Sequence, residues 1–590
     1  MAAGIPDSFD RHWRRWLLLG WVLACTWLIA ERWNGIHWFA LPDTDDNMRI
    51  MQVRAWLHGQ DWFDLRQHRL NPPFGANIHW SRLVDLPIAG IILAVRPFLG
   101  GIIAEKVAVA VAPLLPLLVA MAATSVTMRR LLSPYAYLLA LILLMCAHSS
   151  RLMWSPLRID HHGWQLALLC LVMLSFTDRN RARAGLLLGA TSALSLTIGL
   201  EMLLYLLVAG ALTVLLWVRD GDERSRLAAY GASLAGGTAL GFLSFASYDN
   251  RAAICDALTP VWLSAMVAAG ALCVLLAMMP LGSVRARLGA AAGAGLLLAG
   301  GFTGSWPQCL GRLEAASPEL ERYWLDRVRE AMPLYRHDHV TIAAVASLPL
   351  AGLAGYAAML WRHRREPERL LPWAALAILC FTATALLLWQ SRTGPAAQTF
   401  AVPGAVALGW LLVPRAQASS RMLVRVFGTV AAFLIVSGIG AQFALKQIPK
   451  QNGGGLTAVS RANRLCPTMP ALRPIALQPK GLVLTFVDLG PRLITVTHHD
   501  AITGPYHRNG SAILDVHKAF RGSVANAHAT VLRRGVDYVL ICPNLSEATV
   551  YVAEAPKGFY RQLAAGRVPP WLERVPLPAK SPYRMWRVRR

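Results

Sequence analysis

Three carboxylates occupy four positions in Pro42-Asp43-Thr44-Asp45-Asp46-Asn47-Met48-Arg49, directly after the first apolar stretch of the chain. Like charges this close repel and call for a compensating cation. A hard divalent ion such as Mg²⁺ or Mn²⁺ suits oxygen ligands of this kind. A second cluster, Arg158-Ile159-Asp160-His161-His162, follows a later apolar stretch. If both clusters lie on one side of a membrane, they can converge on a single ion, and a His162 imidazole would tilt the preference from Mg²⁺ toward Mn²⁺. The plainer alternative is that the first cluster is the solvated start of a helix, where such residues cap free N–H groups. Arg49 and Arg158 stand beside the clusters and either pair with them or face an anion.

Other residues invite chemistry more weakly. Arg392 stands alone in the short segment Gln390-Ser391-Arg392-Thr393-Gly394-Pro395. A guanidinium fork matches phosphate oxygens, although an arginine between two apolar stretches also snorkels to headgroups with no ligand at all. Glu201 adjoins an apolar run, where an acid is costly and points to function; it can equally cap a short turn. His79-Trp80-Ser81-Arg82 reads as an interfacial aromatic belt or a headgroup site. Tyr506-His507-Arg508-Asn509 is a polar aromatic cluster that either faces a site or is surface loop.

The elements that must position these residues are apolar. Of the 590 residues, 55% are hydrophobic and 15% charged, against roughly 25% charged in soluble domains. A spanning helix needs about 20 mostly apolar residues. Windows of that kind fall near 16–30, 103–126, 134–150, 163–177, 185–200, 202–218, 227–248, 261–281, 288–303, 340–361, 371–389, 398–414 and 422–443, about thirteen in all. The run 83–99 holds Arg96 and Pro97 and reads as a re-entrant or interfacial helix. No small-residue cleavage site follows the first stretch, so it reads as a retained helix.

Arginines fix the orientation. They gather in alternate connections, at Arg11, Arg14 and Arg15, at Arg129 and Arg130, at Arg179, Arg181 and Arg183, at Arg219, Arg224 and Arg226, at Arg285 and Arg287, at Arg362, Arg364, Arg365 and Arg369, and at Arg415, Arg421 and Arg425. These ends are expected inside. Loops 31–102, 151–162 and 304–339, and everything after about 444, are then outside. The net charge of +25 is spread over membrane boundaries and suits anionic lipid headgroups rather than nucleic acid.

Two units follow: 1–443 as a polytopic membrane domain with outer loops 31–102 and 304–339, and 444–590 as an outer α/β domain. The tail opens with Gly453-Gly454-Gly455, a linker signal. It then alternates apolar runs (482–487, 512–514, 538–541) with helical patterns (524–532, 551–563). The loop 304–339 carries helical character around 317–330. Of nine cysteines, Cys255 and Cys309 fall in outer loops, and Cys466 and Cys542 in the tail. Two disulfides form there if that side is oxidising; spacing alone does not decide the pairing.

In this layout the chain resembles the glycosyltransferase type C superfamily, and within it the catalytic subunit of oligosaccharyltransferase. Short motifs carry the resemblance. Asp43 to Arg49 matches the acidic motif of the first outer loop, with Asp45 or Asp46 as the equivalent of its metal-binding Asp. Asp160-His161-His162 lies where the family has Asp-x-Glu or Asp-x-Asp. Val328-Arg329-Glu330-Ala331-Met332-Pro333 matches V-x-E-x-x-P, whose Glu completes the metal site and touches the acceptor. Phe486-Val487-Asp488-Leu489-Gly490 sits where the family has Trp-Trp-Asp-Tyr-Gly, and the stretch 535–541 resembles a later strand of that domain.

The resemblance implies an α-helical membrane protein with a GT-C-like bundle and an extracytoplasmic α/β domain. It implies transfer of a sugar or oligosaccharide from a polyprenyl-phosphate-type donor on the outer side. Asp45, Asp46 and Glu330 would be the acids at the acceptor. Asp45, Asp160, His162 and Glu330 would hold Mg²⁺ or Mn²⁺. Arg392 and Arg49 would face the donor phosphate. The partners are then the lipid-linked donor, membrane lipids and an acceptor of unknown kind, in a bacterial inner membrane with the tail periplasmic. The missing double Trp speaks against a peptide sequon. A transporter or flippase, or a non-catalytic assembly protein, is the competing class; no internal repeat of the transporter kind is present.

Overall fold

The computed structural model describes residues 6–447 and 458–589. The Gly453–Gly455 linker lies outside the described residues. Each of the thirteen expected windows falls on a helix, from Trp13–His37 to the last pair, Met422–Val436 and Ile439–Lys446. Seven of these helices are long and apolar enough to cross a bilayer alone, and the last pair, bent by 89°, would make an eighth. Others are shorter than the windows implied. Ala136–Cys146 has 11 residues, about 16 Å at 1.5 Å per residue, against a hydrocarbon core of about 30 Å. The apolar windows had absorbed turn residues at their ends. Asp85–Leu99 is a 15-residue helix, also too short to span, and packs beside Gly101–Val111 across Gly100, whose φ of +79° makes the turn.

Small residues let the bundle close. The Arg181–Ile198 and Arg224–Phe245 helices approach so tightly that a Cβ on Gly185 would lie 2.0 Å from the Arg226 carbonyl oxygen. Gly231 and Gly270 face each other in the same way, each Cβ position being 2.4 Å from the other's carbonyl oxygen. Close backbone approach of this kind replaces the missing hydrophobic drive between helices in lipid.

Several arginines of the connections expected inside form ion pairs at the helix ends. Arg129 pairs with Asp10 at 2.7 Å, Arg130 with Asp178 at 3.3 Å, Arg181 with Asp220 at 2.9 Å, and Arg226 with Glu223 at 2.5 Å. The acidic motifs lie at the opposite ends of these helices.

The C-terminal unit holds a five-stranded sheet of order β2-β1-β3-β5-β4. Its strands are β1 (Leu482–Leu484), β2 (Asp500–Ala501), β3 (Tyr538–Ile541), β4 (Leu572–Val575) and β5 (Arg584–Val588). The β1–β2 and β1–β3 pairs are parallel, and β3–β5 and β4–β5 antiparallel. The apolar run 512–514 is not a strand; it lies inside the helix Gly510–Arg521, on its buried face. The stretch 551–563 divides into Ser546–Glu554 and Phe559–Ala564. The helical region near 317–330 is one short helix, Pro318–Tyr323, followed by 3₁₀ turns.

The first outer loop fastens the two units together. Leu70 forms a parallel bridge with Ala501, so the loop extends the sheet at the β2 edge. Arg69 donates to the carbonyls of Ile494, Thr497 and His499. Met48, Met51 and Trp80 belong to the same apolar core as the sheet. Both cysteine pairs expected on the outer side are disulfides, Cys255–Cys309 and Cys466–Cys542, with Cα–Cα distances of 5.4 and 6.4 Å.

Candidate active site

The helix Thr44–Leu57 begins at Asp43, whose extended backbone and carboxylate cap it by accepting from the Asp45 N–H at 3.2 Å. The plainer reading of the first cluster therefore holds, since it caps a helix, and the cluster also gathers charge at that end. Asp46 turns inward and is fully buried. Its Oδ1 accepts from the backbone N–H of Ile159 at 2.8 Å and of Asp160 at 3.1 Å. These two bonds join the two motifs, 113 and 114 residues apart in sequence.

Arg158 sits among the acids. Its Nη1 lies 2.5 Å from Asp43 Oδ2 and 3.3 Å from Asp46 Oδ2, and its Nη2 pairs with Asp160. Burial alone would raise the Asp160 carboxyl, but Arg158, with His162 and His161 behind it, holds it down at about 2. Asp160 Oδ1 also accepts from the His162 N–H at 3.1 Å. Asp45 differs. Burial and then the charges of Asp43, Asp160 and Glu330 push its carboxyl well above the usual range, and Arg158 offsets them only in part. Burial raises Asp46 as well, against Arg158.

Glu330 lies on an exposed 3₁₀ turn, Arg329–Ala331. The turn is pinned to the segment carrying Arg392: Ser391 N–H donates to the Met332 carbonyl at 2.8 Å, and Ser391 Oγ to the Glu330 carbonyl at 3.3 Å. Arg392 is 42% exposed and pairs with Glu314 at 3.2 Å. Its Nε donates to Gln390 Oε1 at 2.5 Å.

Arg49 is not at the surface of this site. Its side chain is 0% exposed, paired with Asp85 at 2.9 Å, and lies 4.7 Å from the Trp80 ring centroid. It also donates to the Ser81 carbonyl at 3.1 Å. A charged group taken from water must be paired, and the interior supplies the pair. Arg49 is thus a core cation that braces the wall behind the acids. Asp85 and Trp80 carry no motif that marks them as its partners.

Glu201 stands on the turn between the Arg181–Ile198 and Leu203–Arg219 helices. It lies 2.9 Å from His161 Nε2 and accepts from Gln165 Nε2 at 2.6 Å. Burial would raise its carboxyl, but His161 holds it well below the usual range. From the C-terminal unit, Tyr506 donates its hydroxyl to the Thr44 carbonyl at 3.0 Å and packs edge-on to Trp80. Asp488 is exposed to the same cleft. Burial in its walls and the charge of Asp43 push its carboxyl up to about 6. Phe486, in place of the first Trp, is fully buried against Phe520, Tyr551 and Tyr560.

The side-chain ligand atoms of Asp45, Asp160, His162 and Glu330 do not come within 4.8 Å of one another as a set. Among the described residues, the group of that compactness is His79, Asp256 and His507. The donor chemistry at Asp45 nevertheless fits a hard cation. Arg158 spends its ion pairs on Asp43, Asp46 and Asp160, and the charge crowding Asp45 is what a divalent ion would neutralise.

No family model and no curated protein matches the sequence. Solved structures do. The archaeal oligosaccharyltransferase AglB from Archaeoglobus fulgidus, in complex with an inhibitory peptide and a dolichol-phosphate, superposes with a TM-score of 0.68 at 14% identity, over 95% of this chain and 73% of that one. The Archaeoglobus fulgidus oligosaccharyltransferase tethered to an acceptor peptide containing the NVT sequon gives 0.68 at 15%, over 95% and 72%. Its complex with Zn and sulfate gives 0.59 at 14%, over 92% and 70%. The chain therefore shares the fold of these oligosaccharyltransferase structures, as the motifs led one to expect.

Proposed function

We propose that this protein is a membrane glycosyltransferase that moves a sugar or oligosaccharide from a polyprenyl-phosphate-type donor to an acceptor at the outer face, with the cleft around Asp45 as its reaction centre. One observation carries the reading. Asp46 accepts from the backbone N–H groups of Ile159 and Asp160, so the two acidic motifs meet at one place, with Glu330 near enough to add to the charge at Asp45. The dolichol-phosphate and acceptor peptide bound to the archaeal neighbours are consistent with a lipid donor and a polar acceptor meeting in such a cleft.

Asp45, Asp160 and Glu330, with His162 beside them, would hold a divalent ion. When bound, that ion supplies positive charge for the departing lipid phosphate. The chain's own groups do the rest. Asp46 fixes the Asp160 turn through two backbone N–H groups. Arg158 keeps Asp160 ionised. Asp45 and Glu330 are the carboxylates that would orient an acceptor hydroxyl or amide and take its proton. Arg392, half exposed and held by Glu314, is the arginine of the original set that remains accessible to a phosphate. The buried Phe486 leaves no double-Trp pocket, which favours an acceptor other than a peptide sequon.

The test is release of polyprenyl phosphate from a labelled lipid-linked sugar by the purified protein. Asp45→Asn, Asp160→Asn and Glu330→Gln are each expected to slow it by about 10² to 10³-fold, the scale of one lost electrostatic contact to a transition state. Turnover near that of the parent in all three would reject this site.

A further inference from the structure

We propose that His79, Asp256 and His507 form a second cation site, suited to a zinc-class ion, that clasps the C-terminal unit to the outer loops of the membrane unit. The three residues come from separate parts of the fold. His79 lies in the first outer loop, Asp256 in the loop before the helix Pro260–Met278, and His507 in the 3₁₀ turn His507–Asn509 of the C-terminal unit. One ligand atom from each lies within 4.8 Å of the others. Ligands bonded at about 2.0–2.2 Å in a tetrahedron stand roughly 3.3–3.6 Å apart, so small side-chain rotations suffice to enclose an ion.

The donor set chooses the ion. Two imidazoles and one carboxylate suit Zn²⁺, whereas oxygen-only sets suit Mg²⁺. This separates the clasp from the acidic cleft. His79 is free to serve, and Asp256 and His507 already stand in contact. His79 Nδ1 is buried with no hydrogen-bond partner. His507 Nε2 lies 2.5 Å from Asp256 Oδ2, a contact that an ion would replace. The two imidazole rings lie with centroids 4.8 Å apart, tilted by 51° to each other.

The surroundings orient the carboxylate as an outer shell does. Arg508 donates from Nη2 to Asp256 Oδ1 at 2.5 Å and from Nε to Oδ2 at 2.8 Å, while Oδ2 also meets His507. Arg508 is in turn held by Asn250 at 2.6 Å and Asn77 at 3.1 Å. Asp256 adjoins Cys255, and the disulfide to Cys309 fixes that loop. The carboxylates of Glu201, near His79, and of Glu314, near His507, partly offset the positive charge that Arg508 brings to the site.

Zinc binding to the full-length protein tests this. Asp45→Asn is the parent, so that the acidic cleft contributes less. After stripping with a chelator, zinc is titrated in competition with a chromophoric indicator, and thermal unfolding is followed with zinc and with Mg²⁺. One tight zinc per chain is expected, with a higher midpoint in zinc and no matching rise in Mg²⁺. His507→Gln and His79→Gln should each weaken that zinc by more than the 10–100-fold typical of an outer-shell change. His79→Gln leaves the Asp256–His507–Arg508 bonds intact, so its loss of zinc would not be a loss of fold. A parent that binds no tight zinc, or a His79→Gln variant that binds it as well as the parent, would overturn the proposal.

Discussion

Asp85 answers two buried arginines at once. It pairs with Arg49 at 2.9 Å and Arg82 at 3.5 Å, and none of the three side chains is more than 1% exposed. Arg82 spends its other donors on the carbonyls of Asp61, Trp62 and Asp64. Removing the single anion leaves cations in the interior, which costs about 3–5 kcal/mol. Asp85→Asn is accordingly expected to lower the unfolding midpoint of the purified protein strongly; a midpoint within a degree or two of the parent would show that water reaches the pair. Asp488 and Glu547 set a pH dependence. Burial and the neighbouring Asp488 push the Glu547 carboxyl up to about 8, and burial with Asp43 pushes Asp488 up to about 6. Both exceed the unfolded values of roughly 4, so the folded state holds more protons between about pH 4 and pH 8. Stability therefore falls as pH rises through that window. Glu547→Gln cannot ionise, and its midpoint should vary less with pH over this range and exceed the parent's near pH 8. An unchanged slope would remove Glu547 from the account. At this scale the sequence announces charge but not partnership. The acidic motifs stand out by spacing, whereas the Arg49–Asp85, His161–Glu201 and Asp256–Arg508 pairs join residues 36, 40 and 252 positions apart, and only the folded chain brings them together.

Helices were legible where apolar runs were long. Each window found its helix because burial of every face, in lipid or in the bundle, leaves a continuous apolar signal. Their ends were less legible: the window over Ala136–Cys146 ran on through Ala147 into a second short helix, His148–Met153. In the tail, 538–541 reads correctly as a strand buried on both faces. The run 512–514 misleads because three apolar residues fit either period, and the buried stripe of Gly510–Arg521 shows only over the whole helix. β4 and β5 are interrupted by arginines and glutamate and gave no signal. Glycine spacing, by contrast, has an energetic meaning that can be tested. A Cβ on Gly185 would meet a backbone carbonyl at 2.0 Å, and backbone cannot rotate away as a side chain can. Gly185→Ala should separate the Arg181–Ile198 and Arg224–Phe245 helices and cost about 1–3 kcal/mol, the range for overpacking, read as a lower thermal midpoint in detergent. Retention of the parent midpoint would mean that the helix pair is not locked there.

For the whole molecule, charge asymmetry is the organising feature. Arginine–carboxylate clusters tie one set of helix ends together, and the acids, histidines and C-terminal unit occupy the other. Single cysteines at Gln60 and Asp326 should be labelled by an impermeant reagent from outside, and one at Arg365 only after permeabilisation. Labelling of Asp326 and Arg365 positions from the same side would break both the topology and the cleft. The join between units carries a further consequence. β2 is two residues long and ends its sheet, and the chain segment at Leu70 covers it. Cut away from the membrane unit, the C-terminal unit would present an unpaired strand edge beside the apolar ground vacated by Met48, Met51 and Trp80. That is a template for pairing with further copies of itself. The first outer loop thus acts as a built-in guard against aggregation, and the soluble-looking half of this chain depends on the membrane half to stay so.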